Sequence, residues 1–144
     1  MVRKGIVLTI FIVSIFSFQV QAEPLQIEIF YIDKGKVIKE LPSNEVIEQE
    51  VATILAGITD LYRGFEPIPP KGHMIKIPLE KPVKVKNEWL DDLINEVILI
   101  FPEYENPHLM VFGDDNSHYF FQFNASVDEI LSRLDVKFKG QRKE

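Results

Sequence analysis

The sequence predicts an α/β domain of the α+β type, with two layers. Two main helices cover one face of a mixed, largely antiparallel sheet, and a short helix follows at the C-terminus. Several short segments alternate apolar and polar residues, as strands with one buried face do. In 44–63 and 87–101 apolar residues instead recur every three or four positions, which is typical of one side of a helix.

The N-terminus has the three parts of a secretory signal peptide. Arg3 and Lys4 supply a positive start, residues 6–16 an almost unbroken apolar run, and residues 20–22 a cleavage site. The run is shorter than the roughly 20 residues that cross a bilayer, so a retained anchor is the weaker alternative. We therefore expect a signal peptide at 1–22, cleaved after its last alanine, and no permanent membrane span afterwards.

Composition limits what the exported part can be. Residues 23–144 hold 14 Lys and Arg against 22 Asp and Glu, a net charge of −8 at neutral pH. This charge repels nucleic acids, and the short basic tail at 137–144 is typical of a solvated terminus, so we predict no nucleic-acid partner. The chain has no cysteine, so apolar burial must stabilise it. We predict one domain, at 23–136, in a secreted or cell-envelope protein.

A hairpin and a helix are predicted first. Residues 25–32 alternate as a strand, 33–36 read as a turn, and 37–41 return as a second strand. Ser43 or Asn44 then caps a helix over 44–63.

Two glycines indicate how this first helix packs and where it ends. Gly57 lies inside it, which indicates close packing against a neighbour, and Gly64 is placed to end it.

The middle of the chain is predicted as a stiff loop followed by two strands. Residues 65–72 are rich in proline and glycine, and 74–79 and 82–86 alternate. Pro78 and Pro82 lack an N–H for the ladder, which places them at an edge or a bulge.

The second main helix is predicted over 87–101, capped by Asn87 and ended by Pro102. Its apolar stripe includes Leu93, as the stripe of the first helix includes Leu55. Leu55→Asp and Leu93→Asp are each expected to unfold the domain.

The C-terminal third is predicted as a hairpin and a short helix. Residues 108–112 and 117–123 flank the turn 113–116, with Phe112 opposite Ser117. Ser126 and Glu129 match a capping box at the start of the last helix.

Acidic pairs and histidines are the candidates for chemistry. Each has a simpler explanation as a residue favoured near a helix N-terminus, as a turn former or as a surface histidine, so no catalytic, metal or cofactor residue is predicted. These candidates are Asp91 with Asp92, Asp114 with Asp115, Glu103 with Glu105, and His73, His108 and His118.

Aromatic residues are the candidates for a partner interface. The strand with Tyr119 and Phe121 is apolar on both faces, which favours central burial or partial exposure to a partner. Trp89 stands beside an apolar stripe, where a half-exposed tryptophan serves as an interface anchor or as a rim residue of the core.

Three segments resemble the GerM (GerMN) domain family. They are the opening hairpin from Ile27, the helix through Leu55-Ala56-Gly57, and the stretch 93–102 leading into 108–114. The resemblance implies an exported α/β assembly module of the envelope of spore-forming bacteria, without enzymatic residues. Family members are often lipid-anchored, whereas this chain has no cysteine for such an anchor.

Three functional hypotheses follow. The first is a non-enzymatic exported binding or assembly module of the cell envelope, sporulation or germination included, which has a protein partner or self-assembles. The second is a small secreted hydrolase that uses an acid pair and His118. The third is a secreted inhibitor or immunity-type protein whose acidity neutralises a basic target.

Export makes a direct prediction about the native N-terminus. Intact-mass spectrometry of protein from the native host should give a chain that begins at Glu23. A mass that retains Met1 or the apolar run 6–16 would contradict cleavage.

Overall fold

The computed structural model describes residues 22–138, so residues 1–21 of the predicted signal peptide and residues 139–144 lie outside the described residues. The α+β class is confirmed in its broad form, as one seven-stranded sheet and two helices over the described range. The strands are β1 (Gln26–Tyr31), β2 (Lys36–Pro42), β3 (Ile58–Leu61), β4 (Gly72–Lys86), β5 (Asp91–Pro102), β6 (His108–Phe112) and β7 (His118–Phe123). The helices are α1 (Glu45–Ala56) and α2 (Asp128–Arg133).

The strands lie in the order β2-β1-β4-β5-β6-β7-β3. Every strand pair in the described sheet is antiparallel. The prediction of a largely antiparallel sheet is therefore confirmed, whereas the prediction that it also contains parallel pairs is wrong. Because β3 lies at one edge and β4 near the other, the connection 62–71 has to pass β7, β6 and β5. We call this connection the strap.

Alternation along the strands separates two faces of the sheet. One face, here the core face, joins the buried side chains of α1 and α2 in a single apolar cluster. That cluster includes Ile27, Ile29, Ile47, Val51, Ile54, Ile75, Ile77, Val97, Leu99, Phe121, Ile130 and Leu134. We call the opposite face the outer face. The buried side chains of α1 and α2 do not pack against it.

The first helix is confirmed at its start and shorter than predicted. The Asn44 Oδ1 atom accepts a hydrogen bond of 3.0 Å from the Ile47 N–H, as a helix cap does. α1 ends at Gly57 rather than at Gly64, and residues 58–61 form β3. A Cβ on Gly57 would lie 3.0 Å from Asn124 Oδ1, so the close packing predicted there is confirmed.

The predicted second helix is wrong, because 91–102 forms β5, the strand in the middle of the sheet. The Asn87 Oδ1 atom does accept backbone hydrogen bonds, from Trp89 and Leu90, but it closes the β4–β5 hairpin loop instead of a helix. Leu93 is 57% exposed, so it belongs to no buried stripe.

An irregularity in the β4–β5 pairing explains why the sequence predicts a helix over 87–101. Pro78 pairs with Glu96 and Val83 with Ile94, so residues 79–82 lie opposite Asn95 alone. This bulge puts the core-facing residues Ile94 and Val97 three positions apart, a spacing that imitates a helix. It also confirms the predicted placement of the two prolines at a bulge.

The C-terminal hairpin is confirmed, with its register shifted by one residue. Phe112 pairs with His118 rather than with Ser117. The predicted capping box is not formed, since Ser126 Oγ accepts from the Asp128 N–H. Beyond residue 136, the Phe138 ring stacks 4.2 Å from that of His73 and packs against the core.

None of the helices in the described part of the chain is both long and apolar enough to cross a membrane. The described residues do not include the apolar run 6–16, so this finding leaves the signal peptide as a prediction.

Two leucines test the corrected fold. Leu55 is 4% exposed in the core, so Leu55→Ala should lower the free energy of unfolding by about 2–5 kcal/mol. Leu93→Ala, the matched control at an exposed site, should change it by less than about 0.5 kcal/mol. Urea unfolding of both variants measures this. A large loss in Leu93→Ala would instead support the helix at 87–101.

Candidate functional site

Strand register builds the outer face as rows of side chains. One row runs Glu40, Glu28, Lys76, Ile98, Met110 and Phe120, each paired with the next across β2, β1, β4, β5, β6 and β7. A second row runs Val37, Phe30, Met74, Ile100 and His108. Phe112 and His118 form part of a third. Most of these side chains are apolar.

The apolar part of the outer face is only partly covered. Ile100 and Met110 are buried, yet neither belongs to the cluster of the core face. Around them Phe30, Met74, Ile98, Phe112 and Phe120 remain partly exposed, and Val37 is 41% exposed. An antiparallel sheet with one free face ordinarily carries polar residues there. A contiguous apolar surface of this kind marks an interaction site in many proteins.

One corner of the outer face is acidic. The Lys76 Nζ atom lies 2.6 Å from Glu28 Oε2, and this hydrogen bond raises the pKa of Lys76. The negative charges of Glu96 and Glu40 act on the same ammonium group. Three carboxylates therefore lie near one lysine at this corner, and only Glu28 is paired with it.

The strap crosses the end of the outer face that lies away from the acidic corner, and it contacts His108 there. The Nε2 atom of His108 lies 2.6 Å from the Pro67 carbonyl oxygen, which accepts, so Nε2 carries the hydrogen. The Tyr62 ring stacks 4.0 Å from the imidazole, and its hydroxyl donates to Glu105 Oε2 at 3.1 Å. Phe65, on the same strap, is fully exposed.

The three histidines lie apart in role and environment. His108 is 1% exposed, and this burial lowers its pKa; its Nδ1 atom has no hydrogen-bond partner among the described residues. His73 is stacked between Tyr31 and Phe138, and burial lowers its pKa as well. His118 is exposed.

The aromatic residues expected at an interface lie on the core face. Phe121 is fully buried, so its ring is not accessible to a partner in this structure. Tyr119 and Trp89 are partly buried and pack on the core, with ring centroids 6.1 and 6.0 Å from that of Phe121. On the outer face, Phe112 and Phe120 are likewise partly exposed, but they do not belong to the core cluster.

The acidic candidates are separated into local contacts. Asp91 is paired with Lys84 at 2.5 Å, and this hydrogen bond lowers its pKa. The two Asp115 carboxylate oxygens accept from the N–H and hydroxyl of Ser117. Glu105 accepts from Tyr62, as described above.

One acidic contact crosses between two hairpins. The Asp114 N–H donates to Asp92 Oδ2 at 3.3 Å, and the negative charge of Asp92 raises the pKa of Asp114. Asp114 is exposed, so solvent reaches this pair.

Sequence reasoning missed the outer face as a site. The predicted helix over 87–101 includes Ile98 and Ile100, and this prediction hides their alternation with Val97 and Leu99. The run 97–100 was the available signal, because Val97, Ile98 and Ile100 are β-branched and favour strands, and all four residues are apolar.

No group of three or more His, Cys, Asp or Glu side chains within 22–138 is arranged to hold a metal ion. No protein-family model, curated protein or solved structure matches the chain. The fold and its partly exposed outer face therefore carry the functional argument.

Burial of His108 predicts a pH-dependent stability. In the unfolded chain His108 binds a proton near the ordinary histidine pKa of about 6.5, whereas burial lowers its pKa in the fold. Acid therefore favours the unfolded chain, and the melting temperature should fall as pH drops from about 7.5 to about 5.5.

His108→Gln keeps a donor for the Pro67 carbonyl and removes the titration, so its melting temperature should fall less over this range. His118→Gln, at an exposed histidine, should behave like the wild type. Equal declines in the wild type and His108→Gln would contradict the role of His108.

Proposed function

We propose that this protein is an exported, non-enzymatic binding or assembly module of the bacterial cell envelope, and that the outer face of its sheet docks a protein partner. The signal peptide and its cleavage after Ala22 are part of the proposal. So is the two-layer arrangement, in which α1 and α2 cover the core face and leave the outer face to the partner.

The observation that carries the proposal is the apolar character of the sheet on both faces. Packing of α1 and α2 accounts for the core face, where Ile75, Ile77 and Leu99 are buried. No such element among the described residues accounts for Ile98, Phe112 and Phe120, which stay partly exposed. Covering them would remove apolar surface from water, at about 25 cal/mol per Å² buried.

The strap strengthens the case for a defined surface. Its hydrogen bond from His108 and its stacked Tyr62 hold it over one end of the outer face, so it forms a rim beside the apolar rows. Phe65 projects from that rim into solvent. An apolar sheet face with an aromatic side chain at its border suits docking of another protein.

The resemblance to the GerM family agrees with this role, and we propose an assembly function related to sporulation or germination on that basis. The hydrolase alternative has less support from the described residues. Its acid pairs at Asp91, Asp92, Asp114 and Asp115 lie at hairpin ends, where solvent and local hydrogen bonds account for them.

Site-specific photo-cross-linking tests the proposal. A benzophenone-bearing phenylalanine is placed at Phe112 or Phe120 of the exported protein in its native host, with Gln49 on α1 as the control position. We expect adducts from the two outer-face positions and none from Gln49. An adduct of twice the chain mass would identify self-assembly, and a different mass another protein partner.

A monomer by sedimentation that gives no adduct from either outer-face position would contradict docking at this face. Adducts from Gln49 alone would move the interface to the helices.

A further inference from the structure

The acidic corner of the outer face contains an unfavourable pairing. Glu28 lies directly opposite Glu40 on one side and Lys76 on the other. Like charges directly opposite each other destabilise a sheet, and Lys76 is committed to Glu28 at 2.6 Å. Among the described residues Glu40 forms no ion pair of its own.

Glu96 adds a second carboxylate without an ion pair in the described part of the chain. It pairs with Pro78 on β4, two residues along β5 from Ile98 and on the same face. It is close enough for its charge to act on Lys76. The corner thus holds two more carboxylates than ammonium groups, beside the apolar rows.

We propose that the partner of the outer face is a cationic protein segment. Its Lys or Arg side chains bind Glu40 and Glu96, and its apolar side chains cover Ile98, Phe112 and Phe120. This inference rests on the proposed docking function and names the chemistry of the occupant.

Charge argues against a second copy of the chain as that occupant. Residues 22–138 carry 11 Lys and Arg against 21 Asp and Glu. A second copy brings the same excess of negative charge and a second acidic corner, and like charges across an interface oppose association. A basic segment gains the opposite sign and relieves the repulsion between Glu28 and Glu40.

A titration with synthetic peptides tests the inference on the mature protein, residues 23–144. Three peptides of equal length alternate leucine with lysine, with glutamine or with glutamate, and amide NMR shifts of the labelled protein report where they bind. The Leu/Lys peptide should bind most tightly and shift the amides of Ile98, Phe112 and Phe120. The Leu/Glu peptide should not bind.

Two double variants of equal charge localise the attraction. Glu40→Gln with Glu96→Gln should weaken the Leu/Lys peptide roughly fivefold, as expected for two exposed ion pairs. Glu45→Gln with Glu50→Gln, both on α1 over the core face, should change its affinity less than about twofold. Equal weakening in both would show that net charge alone attracts the peptide and would overturn the inference.

The peptides also separate this inference from the proposed function. Equal binding of the Leu/Gln and Leu/Lys peptides at the outer face would overturn the cationic partner and leave the docking role in place. If no peptide shifts the outer-face amides, the result counts against docking itself.

Discussion

The pairing of β4 with β5 is the contact on which the rest of the fold depends. These two strands are the longest in the sheet, and they join the β2-β1 side to the β6-β7-β3 side. Their register decides which side chains face the helices and which face away. Ile75 pairs with Leu99 on the core face, and Met74 pairs with Ile100 on the outer face. Apolar side chains therefore lie on both faces of the sheet, and both faces are stabilised when they are shielded from water.

The bulge in this pairing divides the β4–β5 hairpin into two parts with different neighbours. On one side of it, β4 and β5 are flanked by β1 and β6 in the sheet. On the other side, the described hairpin extends alone, and Leu90 and Ile94 join the core while Trp89 reaches Phe121. The same hairpin end brings Asp92 to the β6–β7 turn at Asp114. Pro78 and Pro82 lie at the two ends of the bulge. Proline is compatible with this interruption of the pairing, because it has no N–H to donate to the strand ladder.

Local sequence signals predicted the pieces that depend on near neighbours. The first hairpin, the Asn44 cap and the turn around 113–116 each follow from a few adjacent residues, and the structure confirms them. The outer face could not be predicted in this way, because its rows join residues far apart in the chain, from Glu40 to Phe120. The bulge also masked the local signal at 97–100, because it gives the core-facing positions of β5 a helical spacing of apolar residues.

Solvent access to two neighbouring side chains tests the central claim, that the outer face is apolar and open. Val97 faces the core and Ile98 the outer face, whereas both would lie on one buried stripe of a helix. With methyl-labelled mature protein and a soluble paramagnetic agent, the Ile98 methyl signals should relax much faster than those of Val97. Equal, slow relaxation of both would contradict the account.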